Sequence, residues 1–119
     1  MTDNYETDIW LGNLFRGWND PCPLNGLEDG KDGLTESWKI NTFVNPPYSN
    51  PMPWVQKAIY ECKQNNIVVV MLLKMDTSTR WFATLKEAGA HFLWVNGRLK
   101  HQTKRAANFP SMLAVLNEL

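Results

Sequence analysis

The apolar positions of the chain follow two spacings, one typical of strands and one typical of helices. Residues 67–73 form a continuous apolar run rich in β-branched side chains, which predicts a strand buried on both faces. Three shorter apolar runs predict further strands, at 41–44, 91–95 and 111–116. Apolar residues at helical spacing predict three amphipathic helices, at 9–15, 53–65 and 77–88.

Capping residues and helix breakers set the expected limits of these elements. Thr7 or Asp8 is the expected N-cap of the first helix, and Asp76 or Thr77 that of the third. A glycine follows each of these two helices and is expected to end it. Residues 19–33 contain two prolines and three glycines, so they predict a long loop.

The order of the elements predicts the fold class. After the first helix, strands and helices alternate, which indicates an α/β fold with parallel strands and right-handed crossovers. The last two strands have no predicted helix between them, so we expect them to pair antiparallel at an edge. We therefore expect a single reduced domain over residues 1–119, with a minimal Rossmann-like fold. Its sheet is expected to be mostly parallel, with an antiparallel edge strand.

The charge of the chain is balanced in total but unevenly distributed. Twelve basic and twelve acidic residues give a net charge of zero, which argues against a stand-alone, high-affinity nucleic-acid binder. However, residues 1–36 contain eight of the acids, whereas residues 89–117 contain none. The last third of the chain is therefore basic.

Cysteine spacing and hydropathy narrow the class of protein further. Cys22 and Cys62 lie in no CxxC or Cys/His cluster, so no metal site is expected. The longest apolar run, residues 67–73, is too short to cross a bilayer. We expect a soluble protein of the reducing cytoplasm, without membrane contact.

The tetrapeptide Asn45-Pro46-Pro47-Tyr48, the NPPY loop, follows a predicted strand and precedes a predicted helix. This position places it at the carboxyl end of a strand, where open α/β folds bind ligands. The side-chain oxygen of Asn45 and the carbonyl of Pro46 can accept the two N–H bonds of an amino group and direct its lone pair. The prolines fix the backbone, and Tyr48 offers a ring for stacking on a base. This pattern favours methyl transfer to an amine.

Two alternatives to that interpretation of the NPPY loop stay open. The four residues could form only a rigid turn or a polyproline-like segment. The same loop chemistry also suits methylation of cytosine N4, RNA or a glutamine side chain. The loop therefore indicates the reaction more firmly than the substrate.

A series of short sequence blocks extends over nearly the whole chain, from about Thr7 to Leu116. In order, they are Tyr5 with Thr7, Asp20-Pro21-Cys22-Pro23, Asp32-Gly33-Leu34 with Trp38, Phe43-Val44-Asn45-Pro46-Pro47-Tyr48, Asp76-Thr77-Ser78-Thr79-Arg80-Trp81-Phe82, Gly97-Arg98-Leu99-Lys100 and Phe109-Pro110-Ser111. In order and spacing, these blocks resemble the small phage-type DNA N-6-adenine methyltransferases (Dam-like). The resemblance implies a methyltransferase of phage or prophage origin that transfers methyl from S-adenosylmethionine to adenine N6 in DNA.

The resemblance also implies a cofactor site. Asp20-Pro21-Cys22 matches the cofactor-side loop after the family's first strand, and Asp32 matches the acidic residue near the cofactor adenine. Thr7 matches a family Thr-Pro, although Asp8 stands where the family has proline. The alternative for Asp20 and Asp32 is an ordinary loop carboxylate in an Asx-turn.

The basic segment after residue 95 is the expected DNA contact. Arg98, Lys100, Lys104 and Arg105 could bind phosphates, and the alternative is a solvated basic loop. The DNA is expected to be a duplex with the adenine flipped out, or a single strand. With no separate recognition domain, we expect low sequence specificity or specificity supplied by a homodimer.

The short first half of the chain supports an alternative function, that of a protein without catalytic activity. Only 22 residues separate Pro23 from Pro46, too few for a complete methyltransferase sheet, and no Gly-x-Gly loop is present. A nucleic-acid-binding or assembly protein on a reduced methyltransferase scaffold, without turnover, would fit these features. The NPPY loop favours an enzyme over this alternative, because a protein that only binds nucleic acid does not need two hydrogen-bond acceptors directed at one amino group.

Overall fold

The computed structural model describes residues 9–23, 32–95 and 110–119. Within these ranges the elements are, in chain order, helix α1 (Ile9–Leu14), strand β1 (Asn41–Val44), helix α2 (Met52–Asn65), strand β2 (Val68–Lys74), helix α3 (Arg80–Ala88), strand β3 (His91–Trp94) and strand β4 (Ser111–Leu116). Every predicted helix and strand is present. The proposed N-cap of α1, Thr7 or Asp8, lies outside the described residues.

The four strands form one mixed sheet in the order β1-β2-β4-β3. β1 and β2 pair parallel, whereas β4 pairs antiparallel with both β2 and β3. The antiparallel pairing of the last two strands is confirmed. Their pairing lies at an edge of the sheet, as expected, with β3 as the outer strand. The expectation of a mostly parallel sheet was wrong, because β4 lies inside the sheet and is antiparallel to both of its neighbours. The buried side chains of β4 need neighbours on both sides, whereas most of the outer strand β3 is exposed.

Helices cover both faces of the sheet. Alternate residues of β2 point to opposite faces: Val69, Met71 and Leu73 join the core beneath α2 and α3, and Val70 and Leu72 join the smaller core beneath α1. This arrangement confirms that β2 is buried on both faces. Leu11 anchors the short helix α1 and is fully buried.

Apolar periodicity and local caps account for the two longer helices. The apolar face of α2 buries Trp54, Val55, Ala58 and Cys62, as the helical spacing predicted. The N-cap of α3 is Thr79, whose side chain accepts a hydrogen bond from the backbone N–H of Phe82. The expected caps, Asp76 and Thr77, were therefore wrong by two or three residues. The reason is that Asp76 forms a separate turn before the helix. No helix in the described ranges is long and apolar enough to cross a membrane.

Candidate active site

The NPPY loop continues directly from the carboxyl end of β1. Because β1 and β2 are parallel, their carboxyl ends lie at the same edge of the sheet. The side-chain oxygen of Asn45 is buried, Pro46 is buried, and Pro47 and Tyr48 are half-buried. The expected position of the loop at the carboxyl end of a strand is thus confirmed.

A cavity of about 470 Å³ adjoins this loop, a volume within the range of small-molecule pockets. One wall comes from the chain after β1, and the other from the chain after β2. Its lining residues are Tyr48, Ser49, Asn50, Pro51, Met52, Gln56, Leu73, Lys74, Asp76, Thr79, Arg80 and Trp81. The half-buried Trp81 is therefore a cleft wall, whereas Trp38 and Trp54 are core residues.

The wall that follows β2 is shaped by a turn at Asp76. The Asp76 carboxylate accepts hydrogen bonds from the backbone N–H and the hydroxyl of Ser78. These bonds, with the nearby charge of Lys74, hold the pKa of Asp76 below its ordinary value. The Thr79 hydroxyl donates to the backbone carbonyl of Asp76, and its oxygen caps α3. The turn thus holds Arg80, the first residue of α3, at the cavity.

A segment that the sequence predicted as loop extends the sheet on the other side of β1. Asn19 forms an isolated parallel bridge with Thr42 through two backbone hydrogen bonds of 2.9 Å, Asn19 N–H to Asn41 O and Phe43 N–H to Asn19 O. Thr42 also pairs with Val69 of β2, so Asn19 flanks the outer edge of β1. Asp20-Pro21-Cys22 therefore follows a strand-like residue that runs parallel to β1.

The backbone of Gly33 packs closely against this outer segment. A Cβ at Gly33 would lie 1.9 Å from the carbonyl oxygen of Pro21, so only glycine fits without a shift. The Asp20 carboxylate accepts from the N–H of Cys22, and the Asp32 carboxylate accepts from the N–H of Leu34. The structure thus brings together two segments expected on the cofactor side. Both Asp20 and Asp32 also form the Asx-type turns that were the alternative to a cofactor-binding role. A carboxylate in such a turn can still face a ligand, so the two roles are compatible.

Asp20, Cys22 and Asp32 are here called the outer cluster, because the charges of both carboxylates act on the Cys22 thiol. Burial raises the pKa of the Cys22 thiol to about 11, and the charges of Asp20 and Asp32 add to the rise. Partial burial also raises the pKa of Asp20, while its hydrogen bond from Cys22 N–H opposes the change. At neutral pH the thiol is protonated and is no nucleophile.

A buried carboxylate connects the outer segment to α2. Glu61 is 1% exposed and accepts hydrogen bonds from the backbone N–H of Trp38 and from the side-chain amide of Asn65. Its carboxylate lies 3.8 Å from the ammonium of Lys57. The indole N–H of Trp38 in turn donates to the carbonyl of Gly33 at 2.8 Å. The sequence analysis missed Glu61, although its place beside Cys62 on the apolar face of α2 was a usable signal.

Five predicted site residues lie outside the described residues: Thr7, Arg98, Lys100, Lys104 and Arg105. In the parts of the chain that the structure describes, no group of three or more His, Cys, Asp and Glu side chains is arranged to hold a metal ion. The sequence analysis considered Asp76 only as a possible helix cap, and it overlooked Lys74 and Arg80. A basic residue beside the end of a predicted parallel strand could have identified Lys74.

Comparison with known proteins gives one family and two curated relatives. A family described as DNA N-6-adenine-methyltransferase (Dam) matches residues 19–118. A DNA N-6-adenine-methyltransferase of Haemophilus phage HP1 (strain HP1c1) is 44% identical over 59 residues, which are 49% of this chain and 34% of the relative. A DNA N-6-adenine-methyltransferase of Escherichia phage T1 is 40% identical over 68 residues, which are 56% of this chain and 28% of the relative.

The matched segments thus span only about a third of the length of these two relatives. No solved structure matches the chain.

Proposed function

The chain belongs to the DNA N-6-adenine-methyltransferase (Dam) family, and on this basis we propose that it transfers a methyl group from S-adenosylmethionine to N6 of adenine in DNA. The observation that carries the proposal is the NPPY loop at the carboxyl end of β1, beside a cavity of about 470 Å³. Both named relatives are phage adenine methyltransferases, which supports the choice of acceptor.

The NPPY loop acts by positioning the amine. The lone pair of an exocyclic amino group is delocalised into the ring, so the amine is a weak nucleophile. The side-chain oxygen of Asn45 and the carbonyl of Pro46 each accept one N–H bond, which orients the lone pair. Two consecutive prolines hold both acceptors in place, so little reorganisation is needed during the reaction. The proton leaves only after the methyl group has been transferred, when the nitrogen has become acidic.

The outer cluster fits the cofactor chemically. S-adenosylmethionine supplies an electrophilic methyl group on a sulfonium and also carries an ammonium. The carboxylates of Asp20 and Asp32 favour such cations, and their shared influence on Cys22 indicates that both lie near one point. The contact of Gly33 with Pro21 holds the two segments together. Thr7, Pro21 and Cys22 complete the proposed cofactor-binding set.

The finer features of the fold and partners belong to the same proposal. The parallel unit β1-α2-β2, with ligand sites at its carboxyl edge, supports a reduced Rossmann-like methyltransferase domain over residues 1–119. The DNA is a duplex with the adenine flipped out or a single strand, held by Arg98, Lys100, Lys104 and Arg105. A homodimer would add contacts to the DNA. The reaction takes place in the cytoplasm of the host cell.

The test is transfer of tritiated methyl from S-adenosylmethionine into adenine-containing DNA. We expect label in N6-methyladenine for the unmodified chain, and about 10²–10³-fold less for Asn45→Ala, because one of two aimed acceptors is lost. Gln64→Ala, a change at an exposed position of α2, should keep full activity.

Calorimetry with S-adenosylmethionine separates a failure of binding from a failure of chemistry. Asn45→Ala should keep the cofactor affinity of the unmodified chain. Neither heat nor label for the unmodified chain would refute the proposal and favour the rival, a DNA-binding or assembly protein without turnover. Label retained by Asn45→Ala would remove Asn45 from the mechanism.

A further inference from the structure

The cavity and the outer cluster lie on opposite sides of β1. Asn19, which precedes the outer cluster, flanks one edge of β1, and β2 flanks the other. The cavity is bounded by the segments that follow β1 and β2, and none of its described lining residues comes from the Asp20–Cys22 or Asp32–Gly33 segments. The site proposed for the cofactor and this cavity are therefore two different places, on the two sides of β1.

The charge of the cavity suits an anion. Two cationic side chains, Lys74 and Arg80, line it, and Asp76 is the one acid among its described lining residues. The Asp76 carboxylate accepts both Ser78 hydrogen bonds on one oxygen and keeps its charge, so Lys74 and Arg80 leave an excess of one positive charge among these side chains. The first turns of α2 and α3, which also face the cavity, contain no acid.

The other lining residues suit a planar, partly polar group. Tyr48 and Trp81 provide aromatic surface from opposite walls, and both are half-buried. Gln56 and Asn50 add amide groups that can both donate and accept. Aromatic side chains with a few polar groups are a common environment for an unstacked base.

We propose that Arg80 and Lys74 hold a backbone phosphate of the target strand at this cavity, beside the base that the proposed function places against the NPPY loop, with Trp81 as a second aromatic surface. The inference rests on the proposed function and adds the two side chains, Arg80 and Lys74, that hold the DNA substrate. Arg80 and Lys74 are positioning residues in this scheme, because they touch the nucleotide backbone and not the reacting nitrogen. The Asp76 turn and the Thr79 cap hold Arg80 in place.

The test compares cations at the cavity with matched cations elsewhere. Arg80→Gln and Lys74→Gln remove a charge at the cavity, whereas Lys63→Gln and Lys86→Gln remove an exposed charge near the ends of α2 and α3. Binding of a fluorescent 20-nucleotide single strand containing adenine is measured by anisotropy over a series of salt concentrations. For each cavity variant we expect the slope of log K against log salt to fall by about 0.7, with affinity about fivefold lower at 0.1 M salt. The two controls should match the unmodified chain.

Three results would overturn the inference. The first is an unchanged salt slope in both cavity variants, and the second is no measurable oligonucleotide binding by the unmodified chain. The third is that the cavity variants lose as much affinity for S-adenosylmethionine, measured by calorimetry, as they lose for the oligonucleotide. The last result would assign the cavity to the cofactor. Because the assay needs no turnover, a slope change without methyl transfer would support the nucleotide site while refuting the catalytic proposal.

Discussion

On the outer side of β1, two carboxylates, Asp20 and Asp32, lie near the thiol of Cys22. On the inner side, between β1 and β2, Lys74 and Arg80 line the cavity. The methyl donor of the proposed reaction is cationic at its reacting centre, and the acceptor is a polyanion. Opposite charges on the two sides of one loop would attract each reactant to its own side. If the proposed function holds, this separation of charge would let a chain with zero net charge bind both.

The two sides also differ in what supports them. The inner side is built on α2, β2 and α3, whose apolar faces share the larger core. The outer side depends on turns, an isolated bridge and the hydrogen bonds that link Gly33, Trp38 and Glu61. A few buried polar contacts therefore hold the outer cluster, and its geometry should be the easier of the two to disrupt.

The largest effect is expected for Glu61→Ala. The change leaves the buried N–H of Trp38 without its acceptor and Lys57 without its carboxylate, so the free energy of unfolding should fall by about 3 kcal/mol. Chemical denaturation measures the loss, with Glu87→Ala at an exposed position of α3 as control. If Glu61→Ala were as stable as this control, Glu61 would not be an anchor of the outer side.

A smaller effect is expected in the reactivity of Cys22. Its pKa of about 11, against 9.0 for an ordinary thiol, leaves little thiolate at pH 8, so iodoacetamide should react about tenfold more slowly than with a free cysteine. The rate should rise as the pH rises towards 11. Mass spectrometry distinguishes Cys22 from the buried Cys62. Saturating S-adenosylmethionine should slow the reaction further, and a lack of protection would count against the cofactor site.

The smallest effect is expected for Asp20→Asn and Asp32→Asn. Asparagine keeps the side-chain oxygen that accepts the turn hydrogen bond and removes only the charge, so the fold should persist. Each change should weaken S-adenosylmethionine binding by about 1 kcal/mol, or fivefold, in calorimetry, without altering oligonucleotide binding. Asp76→Asn, on the inner side, is the matched control and should leave cofactor affinity unchanged.

The pH dependence of cofactor binding gives a further check on Asp20. Its pKa is raised, so on acidification the carboxylate is lost at a higher pH than an ordinary Asp carboxylate. Affinity for the cationic cofactor should therefore fall as the pH falls through that raised pKa, and this part of the fall should disappear in Asp20→Asn. An identical pH profile in the variant would show that Asp20 does not face the cofactor.

Local sequence was sufficient to predict the helices and strands and the position of the NPPY loop. The apolar run from Ile67 to Leu73 and the helical spacing of α2 depend on which side chains must leave water, a property of neighbouring residues. The NPPY loop could be placed because a strand before it and a helix after it put it at the carboxyl end of β1. The helical spacing of apolar residues in α2 includes Cys62, and it is buried in the core.

Contacts between segments that are distant in the chain could not be predicted from local sequence and are seen only in the tertiary structure. The insertion of β4 between β2 and β3, the bridge from Asn19 to β1 and the burial of Glu61 each join residues far apart in the chain. Local periodicity shows which face of an element is apolar but not which partner covers it. Sheet order and the position of Arg80 beside the NPPY loop therefore depend on how all the apolar faces are buried together.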